Sequence, residues 1–317
     1  MIRLPFLKPA VPPHVFVLLP EGVTYARVRL EEPAGFEETR HFRYPGGALT
    51  PGSSTSAAPV LTREAIAEAV KAARALAGGR LSRASVIFPD LWARTLPGER
   101  ESIPDDSDAG REMVLWKLRK LLPGQPTDLA NTWEPMPTLT DEKRVLVAAA
   151  PRETIESIER AFDEAGVKVG YLAPAGLAIF EGLARTLSRA ASGDYALLHR
   201  TSGALSFFIA RGEEPIFFRQ RPPERHEEAD DDLHDREARL SLSYYAERLK
   251  GPGLSAVYVH DELPGRELEK TTAFPVSVVP LSSRLFSGDG APDKTFDERL
   301  AARPELLAGF AAVFGGR

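Results

Sequence analysis

One pattern that occurs twice limits what this chain can fold into. Residues 15–19 are an apolar run, Pro20, Glu21 and Gly22 read as a tight turn, and residues 24–30 alternate between apolar and polar positions. Period two marks a half-buried strand. Residues 36–44, following Pro33 and Gly35, supply a third strand, so the opening predicts a three-strand meander. The order returns at Tyr195: a strand at 195–198, a turn at 199–203, an alternating strand at 204–210, and a strand at 215–220 across a hairpin at 211–214. Two meanders in 317 residues predict an internally duplicated, bilobal α/β fold. Each lobe would carry a mixed sheet, antiparallel in the meander and parallel afterwards.

The intervening segments fit that plan. Residues 45–59 are dominated by small and turn-forming types and read as a loop. Thr62 is placed to cap a helix in which Ile66, Ala69, Val70, Ala73 and Leu76 recur at helical spacing until Gly78 and Gly79. Residues 84–88 read as a buried strand and 91–96 as an extended segment. The acidic end of 97–108 introduces a helix running to about Leu122, and 126–137 is a proline-punctuated connection. Then come a strand at 144–150, a helix striped by Ile155, Ile158, Ala161, Phe162 and Ala165, a strand at 167–173, and a helix striped by Leu177, Phe180, Leu183, Ala184 and Leu187. After the second meander a long helix at 230–250 would turn Leu233, Leu240, Tyr244 and Leu249 inward. Strands at 256–260 and 276–279 enclose a short helix, and a last apolar helix covers 305–314.

Composition excludes several functions. Forty basic against forty-five acidic residues give a net charge of -5, and no segment has the dense basic stripe that a phosphate backbone requires. Nucleic acid is therefore not an expected partner. With no cysteine there is no disulfide, thiolate metal site, iron–sulfur cluster or cysteine nucleophile, which fits a cytoplasmic home. Pro5, Pro9, Pro12 and Pro13, with Lys8, break the apolar character of the N-terminal stretch, unlike a signal peptide. No apolar run reaches eighteen residues, so any membrane attachment is expected through a partner.

Three stretches resemble a known family: 84–89 (ASVIFP), 145–153 (VLVAAAPRE) and 162–168 (FDEAGVK). Together with the order of elements they resemble the PilM family of type IV pilus assembly proteins, in the actin-like superfamily that also contains FtsA. The general-secretion protein GspL has a similar cytoplasmic region. The resemblance implies an actin-like, RNase H-like bilobal fold. It implies a first lobe at 1–81, an inserted FtsA/PilM-type small subdomain at 82–170, a return to the first lobe at 171–192, and a second lobe at 193–317. It further implies a cytoplasmic protein held at the inner membrane by the short cytoplasmic tail of a PilN-like partner. That tail would bind in a groove between the first lobe and the insertion, and self-association is possible for such a chain.

Members of the superfamily that use ATP set two glycine-bearing hairpin turns against its phosphates and an aspartate near Mg2+. Here the first turn offers Glu21 and Gly22, with Pro20 removing a backbone donor and no aspartate present. The second offers Thr201, Ser202 and Gly203. Where an adenosine-contacting glycine pair is expected, the chain reads His260, Asp261, Glu262, Leu263 and Pro264. These losses predict a pseudo-ATPase without cofactor. The opposing expectation is a nucleotide switch holding ATP and Mg2+ through Glu21, Gly22, Thr201, Ser202 and Gly203, with Arg200 balancing charge.

Other constellations have plainer readings. His226 and His234 lie among carboxylates, a pattern that invites a metal, but acidic residues at a helix start favour the macrodipole and a solvated surface. There is no Gly-x-Ser-x-Gly elbow, and His14, His41 and His260 stand isolated in the sequence. No catalytic or metal-binding residue is therefore expected. Phe88, Trp92 and Trp116 fall in the expected insertion, whose small interior leaves them as candidates for a partner-binding surface.

Overall fold

The computed structural model describes residues 10–31, 33–51, 59–99, 110, 112–113, 116, 128–137, 144–201, 204–221, 230–263, 274, 276–286 and 292–316. The first meander is β1 (His14–Leu18), β2 (Gly22–Arg29) and β3 (Gly35–Arg43). A small hairpin, β4 (Leu49–Pro51) with β5 (Pro59–Leu61), follows within the segment expected to be a loop. Strand β1 pairs antiparallel with β2 and parallel with β6 (Arg83–Phe88), which in turn pairs parallel with β10 (Lys168–Pro174). The sheet order is β10-β6-β1-β2-β3. In the second lobe, β11 (Tyr195–Arg200), β12 (Leu205–Arg211) and β13 (Glu214–Arg221) form the meander, and β14 (Ala256–Asp261) and β15 (Val278–Pro280) join β11 in parallel, in the order β13-β12-β11-β14-β15. The two sheets have the same connectivity, so the duplication read from the sequence is real.

The period of the strands distributes the core. Val15 and Val17 face inward between the sheets, while Phe16 and Leu18 face outward beneath helix α1 (Arg63–Leu76) and helix α2 (Arg152–Glu164). Strand β11 repeats this, with Tyr195 and Leu197 inward and Ala196 and Leu198 outward. A strand covered on both faces must be apolar at every position, which is why the first strand of each meander reads as a continuous run. Between the sheets lie α3 (Ala175–Ala190) and α6 (Leu306–Gly315), while α4 (Asp230–Glu247) covers the outer face of the second sheet and α5 (Phe296–Ala302) leads into α6.

A separate three-stranded antiparallel sheet, β7 (Arg94–Glu99), β8 (Leu129–Met136) and β9 (Arg144–Pro151), has the order β7-β9-β8. Strand β8 lies in the stretch expected to be an irregular connection. Its Pro135 is tolerated because β8 is an edge strand, where one side of the backbone needs no ladder partner. The expected insertion at 82–170 was drawn too wide. Strands β6 and β10 belong to the first large sheet, α2 shares a core cluster with α1, and the separate sheet spans 94–151. Nor does 193–317 stay with the second lobe: Gly309 of α6 packs against Val15 and Val17 of β1.

Of the helix expected to run to about Leu122, the described residues 110, 112, 113 and 116 are helical. Leu240, expected inward on α4, is 48% exposed, because the buried face runs through Glu237, Ala238, Ser241 and Tyr245 instead. The Tyr245 hydroxyl donates to Asp194 at 2.6 Å, and the Arg211 guanidinium holds the same carboxylate at 2.8 and 2.9 Å. Tyr245→Phe is expected to cost about 1–2 kcal/mol in chemical denaturation, since Asp194 is buried but keeps its arginine.

Candidate functional site

A cavity of about 710 Å³ opens between the lobes. Its walls come from the β1–β2 turn, the start of the segment after β6, the end of β14, and the link from α5 to α6. Glu21 and Thr201 both line it, so the structure brings together the two turns that the sequence singled out. Gly22 is the first residue of β2 and is buried, and Ser202 and Gly203 lie outside the described residues. In the second turn the Thr201 backbone N–H donates to the Ala204 carbonyl at 2.9 Å, and the Ala204 N–H donates to Thr201 Oγ1 at 3.0 Å. The turn is closed on itself by these bonds.

The turn is also shorter than expected. Strand β11 runs on through His199 and Arg200, both fully buried. Arg200 was the residue expected to balance a phosphate; its Nε donates to Asp261 at 3.0 Å and its Nη2 also bonds that carboxylate. Its charge is thus engaged within the wall. Asp261 also accepts from the Leu263 N–H at 2.9 Å, and Glu262, beside it, faces the cleft.

Acidic groups dominate this face. Burial, reinforced by Glu305, Asp90, Asp261 and Glu21, pushes the Glu262 carboxyl well above the ordinary carboxylate range. Glu305 accepts from Thr24 Oγ1 at 2.7 Å, and Arg303 stands 3.7 Å from it. Asp90, in the 3-10 turn Asp90–Trp92 after β6, is buried and accepts from the Gly176 N–H at 2.8 Å and Ser206 Oγ at 2.6 Å. Gly176 begins α3 and Ser206 lies in β12, so one carboxylate pins a first-lobe turn to the helix between the sheets and to the second lobe. A side chain at Gly176 would meet Asp90 Oδ2 at 2.5 Å, which explains why glycine stands there.

The histidines were misjudged from sequence. His260 is not isolated: its ring stacks on His199 with centroids 5.1 Å apart, and the two Nδ1 atoms lie 3.0 Å apart. Burial holds both imidazoles neutral, pushed down to about 3. The pairing was hidden because it runs between adjacent parallel strands, β11 and β14, sixty-one residues apart; His199 and His260 are register partners. Among the other candidates, Phe88 and Trp92 are each 3% exposed and belong to the core cluster beneath α1, and Phe88 also borders the cleft. A segment after β6 that packs onto the first lobe has a large interior available, which is the reason they are buried. Trp116 is 55% exposed. The side chains of His226 and His234 lie outside the described residues.

The charge of Glu262 gives a pH prediction. A carboxyl whose folded pKa is raised binds its proton more tightly in the folded chain, so its contribution to stability is complete below the unfolded value and is lost as pH rises through the folded one. In EDTA, Glu262→Gln is therefore expected to stabilise the chain by about 1–3 kcal/mol at pH 8 and by steadily less toward pH 5. Urea denaturation at the two pH values checks this, and a larger gain at pH 5 contradicts it.

Two duplicated mixed sheets, helices between them and a cleft at the strand ends define an actin-like α/β protein. A chain of the PilM–PilN type IV pilus biogenesis complex superposes with a TM-score of 0.70 at 18% sequence identity, covering 97% of this chain and 99% of that one. Weaker likeness extends to a Bacteroides thetaiotaomicron protein of actin-like ATPase fold (TM-score 0.47, 9% identity, 93% and 94% covered). It extends also to the cytoplasmic domain of EpsL, an inner-membrane component of the Vibrio cholerae type II secretion system (TM-score 0.47, 10% identity, 86% and 91% covered). No protein-family model and no curated protein sequence matches the chain.

Proposed function

We propose that this chain is a PilM-like scaffold that works by binding the short cytoplasmic tail of an inner-membrane, PilN-like protein in a pilus or secretion assembly, without catalysis. The observation that carries this reading is the superposition over nearly the whole of both chains on a protein solved as part of a PilM–PilN complex. The cleft supports it. A triphosphate would meet Glu21, Asp261, Glu262 and Glu305, while Pro20 withholds a backbone donor from the first turn and Arg200 is engaged by Asp261. Strand β8, at an edge of the small sheet, has the position from which an extended peptide adds to a sheet. Among the described residues no helix is long and apolar enough to cross a membrane, so a peripheral protein held through its partner is the arrangement proposed.

The test is calorimetry of the full chain with a synthetic peptide of the cytoplasmic N-terminal tail of the PilN-like protein from the same genome. One-to-one binding at roughly micromolar Kd, about -8 kcal/mol, is expected. No heat at a hundredfold higher concentration overturns the reading. Trp116→Ala is expected to weaken binding about tenfold, since exposed tryptophans are frequent anchors.

A further inference from the structure

Acidic residue types line the cleft, yet its interior is electrically quiet. Asp261 is matched by Arg200, whose Nε donates to it at 3.0 Å, and it also accepts from the Leu263 N–H at 2.9 Å. Glu305 accepts from Thr24 Oγ1 at 2.7 Å, with Arg303 3.7 Å away. Burial and the carboxylates around it favour the protonated, neutral form of Glu262. Glu21, the remaining lining carboxylate, is exposed at the rim. Among the described residues, the walls inside that rim present no unpaired charge.

What they do present is hydrocarbon. Leu19, Pro20, Phe88, Leu91, Leu263 and Leu300 line a volume of about 710 Å³, within the roughly 300–1,000 Å³ of small-molecule sites. Water against such walls is displaced at a gain by an apolar ligand. One polar group then gives direction. The Glu262 carboxyl lines the cleft, and its Oε1 lies 3.7 Å from His199 Nε2, too far for a hydrogen bond. A protonated carboxyl has one O–H to donate, and among the described residues no acceptor takes it.

We propose that the cleft binds an uncharged, apolar small molecule bearing one hydrogen-bond acceptor, a carbonyl above all, with Glu262 donating to that acceptor. An anion would meet the oxygens of Asp261 and Glu305, and a cation would find both already matched. Neither recovers what it loses on leaving water. An extended peptide is less suited, because its row of backbone N–H and C=O groups needs partners that leucine and proline walls lack. This site lies beyond the scaffold reading and does not depend on it, because its test uses no peptide.

Nile red, an uncharged dye with an apolar ring system and one carbonyl, is the probe. Titrated into the full chain at neutral pH, it is expected to give saturable, blue-shifted emission at one-to-one stoichiometry and micromolar Kd. The sulfonate dye ANS is expected to bind at least tenfold more weakly. Octanamide should displace Nile red at least tenfold better than octanoate or octylammonium, which share its chain length and differ in charge. Leu263→Asp is expected to weaken Nile red at least tenfold, because it sets a charge in a half-buried wall. Glu262→Leu should weaken it about tenfold, while Glu262→Gln, which keeps an N–H donor, should stay within about threefold of the unchanged chain. Leu240→Ser, which removes the exposed leucine of α4, is expected to leave binding as it was. No saturation by about 100 μM dye, ANS or octanoate performing as well as its uncharged counterpart, equal affinity in Glu262→Leu and Glu262→Gln, binding untouched by Leu263→Asp, or binding lost in Leu240→Ser overturns the proposal.

Discussion

Gly182→Leu is expected to keep the chain from accumulating as folded protein. Helices α3 and α6 cross between the two sheets, and the crossing is closed by backbone meeting backbone. A Cβ at Gly182 would stand 2.0 Å from the Ala311 carbonyl oxygen and 2.9 Å from Ala311 Cα. Contacts of that kind cannot be relieved by a rotamer change, because no flexible side chain is available to move. The helices must separate, and with them the central core in which Phe180, Phe208, Phe296 and Phe310 pack. The loss is expected to be about 3 kcal/mol or more, a large part of the stability of an ordinary domain. Soluble yield and urea midpoint measure it. Arg185→Ala, on the exposed side of α3, should stay within about 0.5 kcal/mol, and a Gly182→Leu midpoint equal to that control would refute the packing described.

The second large effect is expected at Asp90. Asp90→Ala, in EDTA, removes the acceptor for the Gly176 N–H and for Ser206 Oγ and leaves both groups buried at the junction of the lobes. Each orphaned donor costs about 1–3 kcal/mol, so a total of about 3 kcal/mol is expected. Asp90→Asn can accept from Gly176 through its carbonyl and donate to Ser206 Oγ through its amide, so a loss of about 1 kcal/mol is expected there. If alanine and asparagine destabilise equally in urea, the carboxylate is not the pin between the lobes. The Asp90 backbone contact should persist in both variants, since Gln220 Nε2 donates to the Asp90 carbonyl at 2.8 Å.

Much of the architecture was legible because it rests on local patterns. The repeated meander could be read from period-two alternation and turn residues, and α1, α2, α3 and α6 from helical stripes. Errors arose where tertiary context overrides pattern. Pro135 suggested an irregular segment, yet an edge strand needs no donor on its outer side. Leu240 lies at a helical spacing from Leu233 and Tyr244, yet α4 buries the face of Tyr245, whose hydroxyl is drawn to Asp194. The insertion was drawn too wide because a strand of the large sheet and a strand of the small one look alike in sequence. In the site, Glu21, Thr201 and the acidic run at Asp261 and Glu262 were found from the expected place of the phosphate turns. Asp90 was not, because nothing in its neighbourhood marks a carboxylate that meets Gly176 and Ser206 across the fold. The His199–His260 pair was missed for the same reason: only the register of β11 with β14 brings them together.

The central claim is that the cleft kept the form of a nucleotide site while its walls became acidic. Titration of Mg2+ and ATP into the full chain in a calorimeter tests that directly. The account predicts no saturable heat up to about 1 mM nucleotide, weaker than roughly -4 kcal/mol. Saturable, Mg2+-dependent binding at micromolar Kd, abolished by Thr201→Val, which removes the hydroxyl of the second turn, would contradict it.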